Sequence, residues 1–347
     1  MPPEVKKNLT DMSTSELLNE ISCLLVVYVE PFLCSIGFLL NCACVAVFLS
    51  VSSHSYFRKT SLLLYLAALA VCNALQLLLS VFVIVAPAIE QFIRNDHPET
   101  SDFLHWFNST AVRIGYPLIM SANYAAIWLL TLICAQKYQA ICHPANIWKK
   151  RLVWVRKSKE NVVVVVILAL ALNVIRYWEM AWNEHGELYY NEFRDSMMYK
   201  IIQEGVIYGF IVYGLTLVVL LILNYNIVRL IRAEELHVQP SRKNAEYRTA
   251  LMTVCVFIVF FLCTTLSVSI RLFMICANTV VRFTDVMWIV DLSNLLMNIN
   301  ALITPIICFI FTRGFRDLFF IIRFAPLKTG SFDQKSCGKQ LLQADIV

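Results

Sequence analysis

Seven stretches of this chain are too long and too apolar to be core helices of a water-soluble domain. They run over residues 21–50, 61–89, 116–144, 162–178, 201–228, 249–277 and 283–311. At a rise of ~1.5 Å per residue, about twenty apolar residues span a hydrocarbon layer of ~30 Å. Backbone N–H and C=O groups in that layer must be satisfied within the segment, which makes each stretch a helix. The sequence therefore predicts an all-α membrane protein with a seven-transmembrane helix bundle over residues 21–311. Composition agrees, because 59% of the 347 residues are hydrophobic and only 15% are charged; about a quarter are charged in a soluble domain.

The positive charge sorts by loop. Nineteen Lys and Arg lie in the first, third and fifth connections and the C-terminal tail, and six lie in the N-terminal segment and the other connections. Positive residues stay on the cytosolic side, so residues 1–20 are expected outside and 325–347 form a cytosolic tail. The net charge of +5 thus reflects topology, and no nucleic-acid partner is expected. Asn8-Leu9-Thr10 and Asn108-Ser109-Thr110 are glycosylation acceptors on the expected outer side. The first run is too long for the apolar part of a cleaved leader and is read as an anchor. Of the twelve cysteines, ten fall within apolar runs, where a thiol behaves as a small hydrophobe. Cys142 lies at the foot of the third run, Cys337 lies in the tail, and the fourth connection has none. No disulfide is expected in that connection. After the seventh run, Phe315, Leu318, Phe319 and Ile322 recur at helical spacing, predicting a short amphipathic eighth helix over 312–324 that lies in the membrane interface.

Charges within or beside the spans are costly and mark functional candidates. Glu30 lies in the outer third of the first span, and Arg113 opens the third. Arg176 and Glu179 close the fourth, Glu204 opens the fifth, Arg271 is in the outer sixth, and Asp285 and Asp291 open the seventh. Together they predict a mixed-sign cup on the outer side. Its ligand-binding candidates are the acids Glu30, Glu204 and Asp291, the aromatics Tyr116, Tyr124 and Trp178, and the amides Asn123 and Asn294. Asn41, Asn73 and Asn300 are read as interhelical glue, worth ~1 kcal/mol each. On the cytosolic side Lys137 and Tyr138 end the third span, and Glu246 at the start of the sixth helix is the expected partner of Lys137. Such a pair adds only ~0–1 kcal/mol, so its use would be as a switch. The plainer readings are headgroup-level charges for the cup and a snorkelling stem for Lys137.

These positions resemble the rhodopsin-like G protein-coupled receptors, and among them the FMRFamide-peptide receptors of invertebrates. The resemblance runs from about Gly37 to Phe319 and rests on Ala68–Asn73, Tyr116-Pro117-Leu118, Gln136–Pro144, Leu292–Leu296 and Asn300. Its most group-specific part is Asn173-Val174-Ile175-Arg176-Tyr177-Trp178-Glu179, similar to N-x-P-R-F-x-E at the end of the fourth helix. The departures are also specific. Asn73 stands for the Asp that binds sodium in the family, Ala126 for its Ser partner, and Lys137 for the switch Arg, with Gln136 beside it. Leu266 and Thr216 replace the prolines of the sixth and fifth helices, Thr304-Pro305 through Cys308 stand for N-P-x-x-Y, and Val112 stands for the third-helix Cys.

The resemblance implies a receptor that passes peptide binding on the outer side to a heterotrimeric G protein. Lys137, Tyr138, His143, Pro144, Glu246 and Pro305 would form its cytosolic switch and G-protein surface. Two alternatives remain: a small-molecule receptor, and a seven-helix scaffold or decoy that does not signal. The terminal Ala344-Asp345-Ile346-Val347 fits strand addition to a PDZ domain. The sequence has neither H-E-x-x-H spacing nor a nucleotide loop, so no cofactor, metal or enzymatic activity is expected.

Overall fold

A computed structural model describes residues 20–53, 61–90, 102–142, 146–183, 188–234, 240–276 and 283–311. Seven helices in it are long and apolar enough to cross a membrane. They are α1 (Glu20–Leu49), α2 (Ser61–Glu90), α3 (Asp102–Ile141), α4 (Ser158–Trp178), α5 (Met197–Leu230), α6 (Pro240–Cys276) and α7 (Phe283–Phe311). The protein is a seven-helix bundle, as the apolar runs predict. The eighth helix, the tail and Asn8 lie outside the described residues.

The axis of the bundle is α3. In its apolar window 83% of residues are buried, against 17% for α4. Helix α4 leaves Val163, Val164, Ile167 and Leu168 exposed, a face whose natural solvent is hydrocarbon. Around the axis α1 packs on α2 and α7, α2 on α3, α4 and α5 on α3, and α6 on α7. Small residues let backbones approach where helices cross. A Cβ on Gly37 would sit 2.8 Å from Leu77 Cδ1, and one on Gly115 would sit 2.4 Å from Val83 Cγ2. Asn41 Nδ2 donates to the carbonyls of Gly37 and Ala301 at 2.9 and 3.1 Å, joining α1 to α7 as the glue reading expects.

Several boundaries differ from the hydropathy reading. Helix α3 begins at Asp102 instead of Tyr116, because its polar first turns are anchored to α2. There Asn108 Nδ2 and His105 Nδ1 meet the two oxygens of Glu90 at 2.8 and 2.9 Å. Helix α6 starts at Pro240 instead of Thr249; proline is tolerated in a first helical turn, where its missing N–H has no partner to lose. After an α-helical first turn, Met197–Lys200, helix α5 runs as a π-helical stretch, Ile201–Leu215, and becomes α-helical again at Thr216. Its widened turns end just before the position where the related family carries proline, so here the irregularity comes without one. A short hairpin follows α4. Met180–Trp182 (β1) pairs antiparallel with Leu188–Tyr190 (β2), with Met180 opposite Tyr190.

Candidate functional site

The end of α4 builds the largest charged cluster. At Asn173 the α-helix gives way to a 3₁₀ turn, Val174–Trp178. Three residues per turn bring every third side chain onto one face, so Asn173, Arg176 and Glu179 line up inward. Trp178 falls off that face and is 61% exposed. Arg176 is 2% exposed and donates in five directions. Its Nε reaches Asn173 Oδ1 at 2.9 Å, and one terminal nitrogen reaches the Tyr116 hydroxyl at 3.1 Å and Glu179 Oε1 at 3.2 Å. The other reaches the Tyr124 hydroxyl at 3.3 Å and Glu204 Oε1 at 2.8 Å.

The second layer of this cluster comes from α5, α6 and the short helical turn Glu192–Asp195 after β2. Glu204 also pairs with Arg271, whose guanidinium lies 4.5 Å from the centre of the Tyr208 ring. Glu179 accepts from the Tyr199 hydroxyl and faces Arg194 at 3.7 Å. Tyr124 and Tyr208 stack with centroids 5.5 Å apart. One network thus ties α3, α4, α5 and α6 together in the expected outer half. A charge in a water-poor interior is tolerated when it is paired and its remaining donors are satisfied, and Arg176 meets both conditions.

A second polar cluster joins α1, α2 and α7. Glu30 is 0% exposed; its Oε1 accepts from Asn298 Nδ2 at 2.7 Å, while Oε2 has no partner among the described residues. Asn298 Oδ1 accepts from Gln76 Nε2 at 3.3 Å and Ser80 Oγ at 3.1 Å. Nearer the end of α7, Asp291 is half-buried and accepts from the Ser22 hydroxyl. A small central cavity is lined by Asn73, Gln76, Asn123, Asn300 and Thr304 with apolar neighbours from α2, α3 and α6. The Nδ2 groups of Asn73 and Asn123 have no partner there, and no carboxylate lines it.

No family profile matches the chain. Two curated relatives do. The FMRFamide receptor of Drosophila melanogaster is 27% identical over 281 residues, covering 77% of this chain and 48% of the relative. The FMRFamide peptide receptor frpr-18 of Caenorhabditis elegans is 24% identical over 287 residues, covering 78% and 64%. The chain is similar to receptors named for FMRFamide. It spans about half the length of the first relative and about two thirds of the second.

Among the ligand-binding candidates, the fold brings Tyr116, Tyr124 and Glu204 together and separates them from the rest. Both tyrosines are engaged by Arg176 and Glu204 by two arginines. Glu30, placed in the cup from sequence, belongs instead to the closed α1–α2–α7 joint, because burial leaves it no exposed surface. Trp178 faces outward instead of into the cup. Asn123 lines the central cavity, and Asn294 is half-buried on α7. Asn108, expected to carry a glycan, is 3% exposed with its amide nitrogen bonded to Glu90; in this arrangement it offers no free acceptor.

On the opposite end Tyr138 is buried, Lys137 is half-buried, and Pro305 sits inside α7. His143, Pro144 and the side chain of Glu246 lie outside the described residues. The sequence reading did not single out Tyr199, Arg194, Gln76 or Ser80. Tyr199 and Arg194 had the appearance of ordinary interface residues, and Gln76 and Ser80 that of isolated polar groups in an apolar run. Only their partners across the bundle reveal them.

Proposed function

We propose that the protein is a G protein-coupled receptor of the plasma membrane for a short amidated peptide, with its N-terminus outside and its C-terminus in the cytosol. The observation that carries this reading is the ionic network of α3–α6, set in a seven-helix bundle and built on the Asn173–Arg176–Glu179 face. Similarity to receptors named for FMRFamide over more than three quarters of the chain supports it. Of the three acids expected to meet a basic ligand group, Glu204 is held by two arginines and Glu30 is closed off. Asp291 is half-buried and bonded to a hydroxyl alone among the described residues, so it takes the ligand's cation. On the cytosolic side Lys137, Tyr138, His143, Pro144 and the basic third connection receive the heterotrimeric G protein, and the terminal Ile346-Val347 offers a PDZ contact.

The test is a calcium and cAMP readout in cells with confirmed surface expression, challenged with amidated short peptides. A saturable response that weakens at least tenfold in Asp291→Lys is expected. An equal response in that variant removes Asp291 from the reading, and silence to all peptides removes the signalling reading for the wild type. The unbroken course of α6 from Pro240 to Cys276, with no internal proline, favours a second reading as a non-signalling scaffold. Signalling gained on Lys137→Arg argues for a weakened receptor, and continued silence with intact peptide binding argues for the scaffold.

A further inference from the structure

The charges in the α3–α6 network do not balance. Among the described residues, Arg176, Arg194 and Arg271 pair with Glu179 and Glu204, three cations against two acids. The excess resolves onto one side chain. Arg176 contacts both carboxylates and has a side-chain exposure of 1%, so it cannot leave without uncovering two buried acids. Arg194 belongs to the loop beyond β2 and stacks on Tyr190, with its guanidinium 3.6 Å from the ring centre. Arg271 has a side-chain exposure of 20%. It lies over Tyr208 and reaches the sulfur of Met120 on the axial helix at 3.7 Å, so it projects into the bundle interior. Glu204 keeps Arg176 at 2.8 Å if Arg271 turns away.

We infer that Arg271 is the anion-binding residue of the ligand pocket, taking a carboxylate of the bound peptide in exchange for Glu204. This rests on the peptide-receptor reading and adds to it a second pole. The ligand's cation lies toward α1 and α7 at Asp291, and its anion lies toward α5 and α6 at Arg271. A guanidinium presents paired donors that match a carboxylate, and the exchange leaves both acids of this network with a cation. The carboxylate is an acidic side chain of the amidated peptide; a preference for the free C-terminus would replace the amide in the proposed function.

The experiment measures binding of three fluorescent peptides to the full chain in lipid nanodiscs. They are Phe-Met-Arg-Phe-amide, the same peptide with a free C-terminus, and the amidated peptide extended by an N-terminal Asp. At least one carboxylate-bearing peptide is expected to bind the wild type about twofold to fivefold tighter than the plain amide, the range of a partly exposed ion pair. Which one does identifies the source of the anion. The preference should vanish in Arg271→Gln and persist in part in Arg271→Lys. Absence of any preference in the wild type, or a preference that survives Arg271→Gln, overturns the assignment while leaving the peptide receptor standing. Absence of saturable binding by all three peptides overturns both.

Discussion

Replacing Arg176 with Met tests the reading of the outer cluster as a designed ionic joint. The substitution removes two charge pairs, to Glu204 at 2.8 Å and Glu179 at 3.2 Å. It also removes hydrogen bonds to Asn173, Tyr116 and Tyr124. Breaking a buried pair from one side costs about 3–5 kcal/mol, because the remaining charge is stranded. Here both carboxylates retain a second arginine, Arg271 for Glu204 and Arg194 for Glu179, so the low end, about 3 kcal/mol, applies. At roughly 2–4 °C per kcal/mol, the apparent melting midpoint should fall by about 6–12 °C. Thermal unfolding followed by fluorescence at a fixed scan rate reads this shift, since the midpoint of an irreversible transition depends on rate. Arg176→Lys retains the charge but not the fork and should fall by about half as much. Glu204→Gln added to Arg176→Met should cost less than the two separate losses summed, by about 1–3 kcal/mol, because the residues share a network. A midpoint for Arg176→Met within about 2 °C of wild type would refute the idea that this network holds α3, α4 and α5 together.

Gly115→Ala should lower stability by about 1–3 kcal/mol, because its Cβ would lie 2.4 Å from Val83 Cγ2; an unchanged melting midpoint would show that α2 and α3 are not this close. Glu30→Gln should leave the midpoint unchanged or raise it. The amide oxygen still accepts from Asn298 and no carboxyl group has to be buried, whereas Glu30→Ala should destabilise by about 1–3 kcal/mol by stranding the Asn298 donor; a reversed order of the two variants contradicts the burial argument. The central cavity offers amides and no carboxylate, so exchanging sodium for choline at constant ionic strength should leave the melting midpoint unaltered. A sodium-specific stabilisation would place a cation where the lining provides no charge for it.

The bundle was legible because a membrane permits few solutions. Seven runs of the right length determine seven helices regardless of how they pack, and the run 283–311 matches α7 residue for residue. The polar first turns of α3 were not legible, since hydropathy registers His105 and Asn108 as loop-like. It is Glu90, distant in sequence, that holds them in a helix. In the site, the spacing of Asn173, Arg176 and Glu179 was visible, but its meaning depends on a 3₁₀ turn that apolar periodicity does not report. The acids were chosen from sequence as ligand partners because a lone carboxylate in a span demands a counter-ion. The structure supplies that counter-ion to Glu204 from two other helices. Depth along a helix also failed to separate Glu30 from Asp291. The first is sealed by α2 and α7, and the second is half-buried near the end of its helix.

The most direct test of the account is peptide-dependent nucleotide exchange. The purified full chain in nanodiscs would be mixed with heterotrimeric G proteins of the main classes and titrated with Phe-Met-Arg-Phe-amide and its acidic variants. A receptor of the kind proposed here produces saturable, peptide-dependent exchange on at least one G protein, and Lys137→Arg increases it. Saturable peptide binding with no exchange on any G protein, in the wild type and in Lys137→Arg alike, would contradict signalling and leave a seven-helix scaffold that binds peptide.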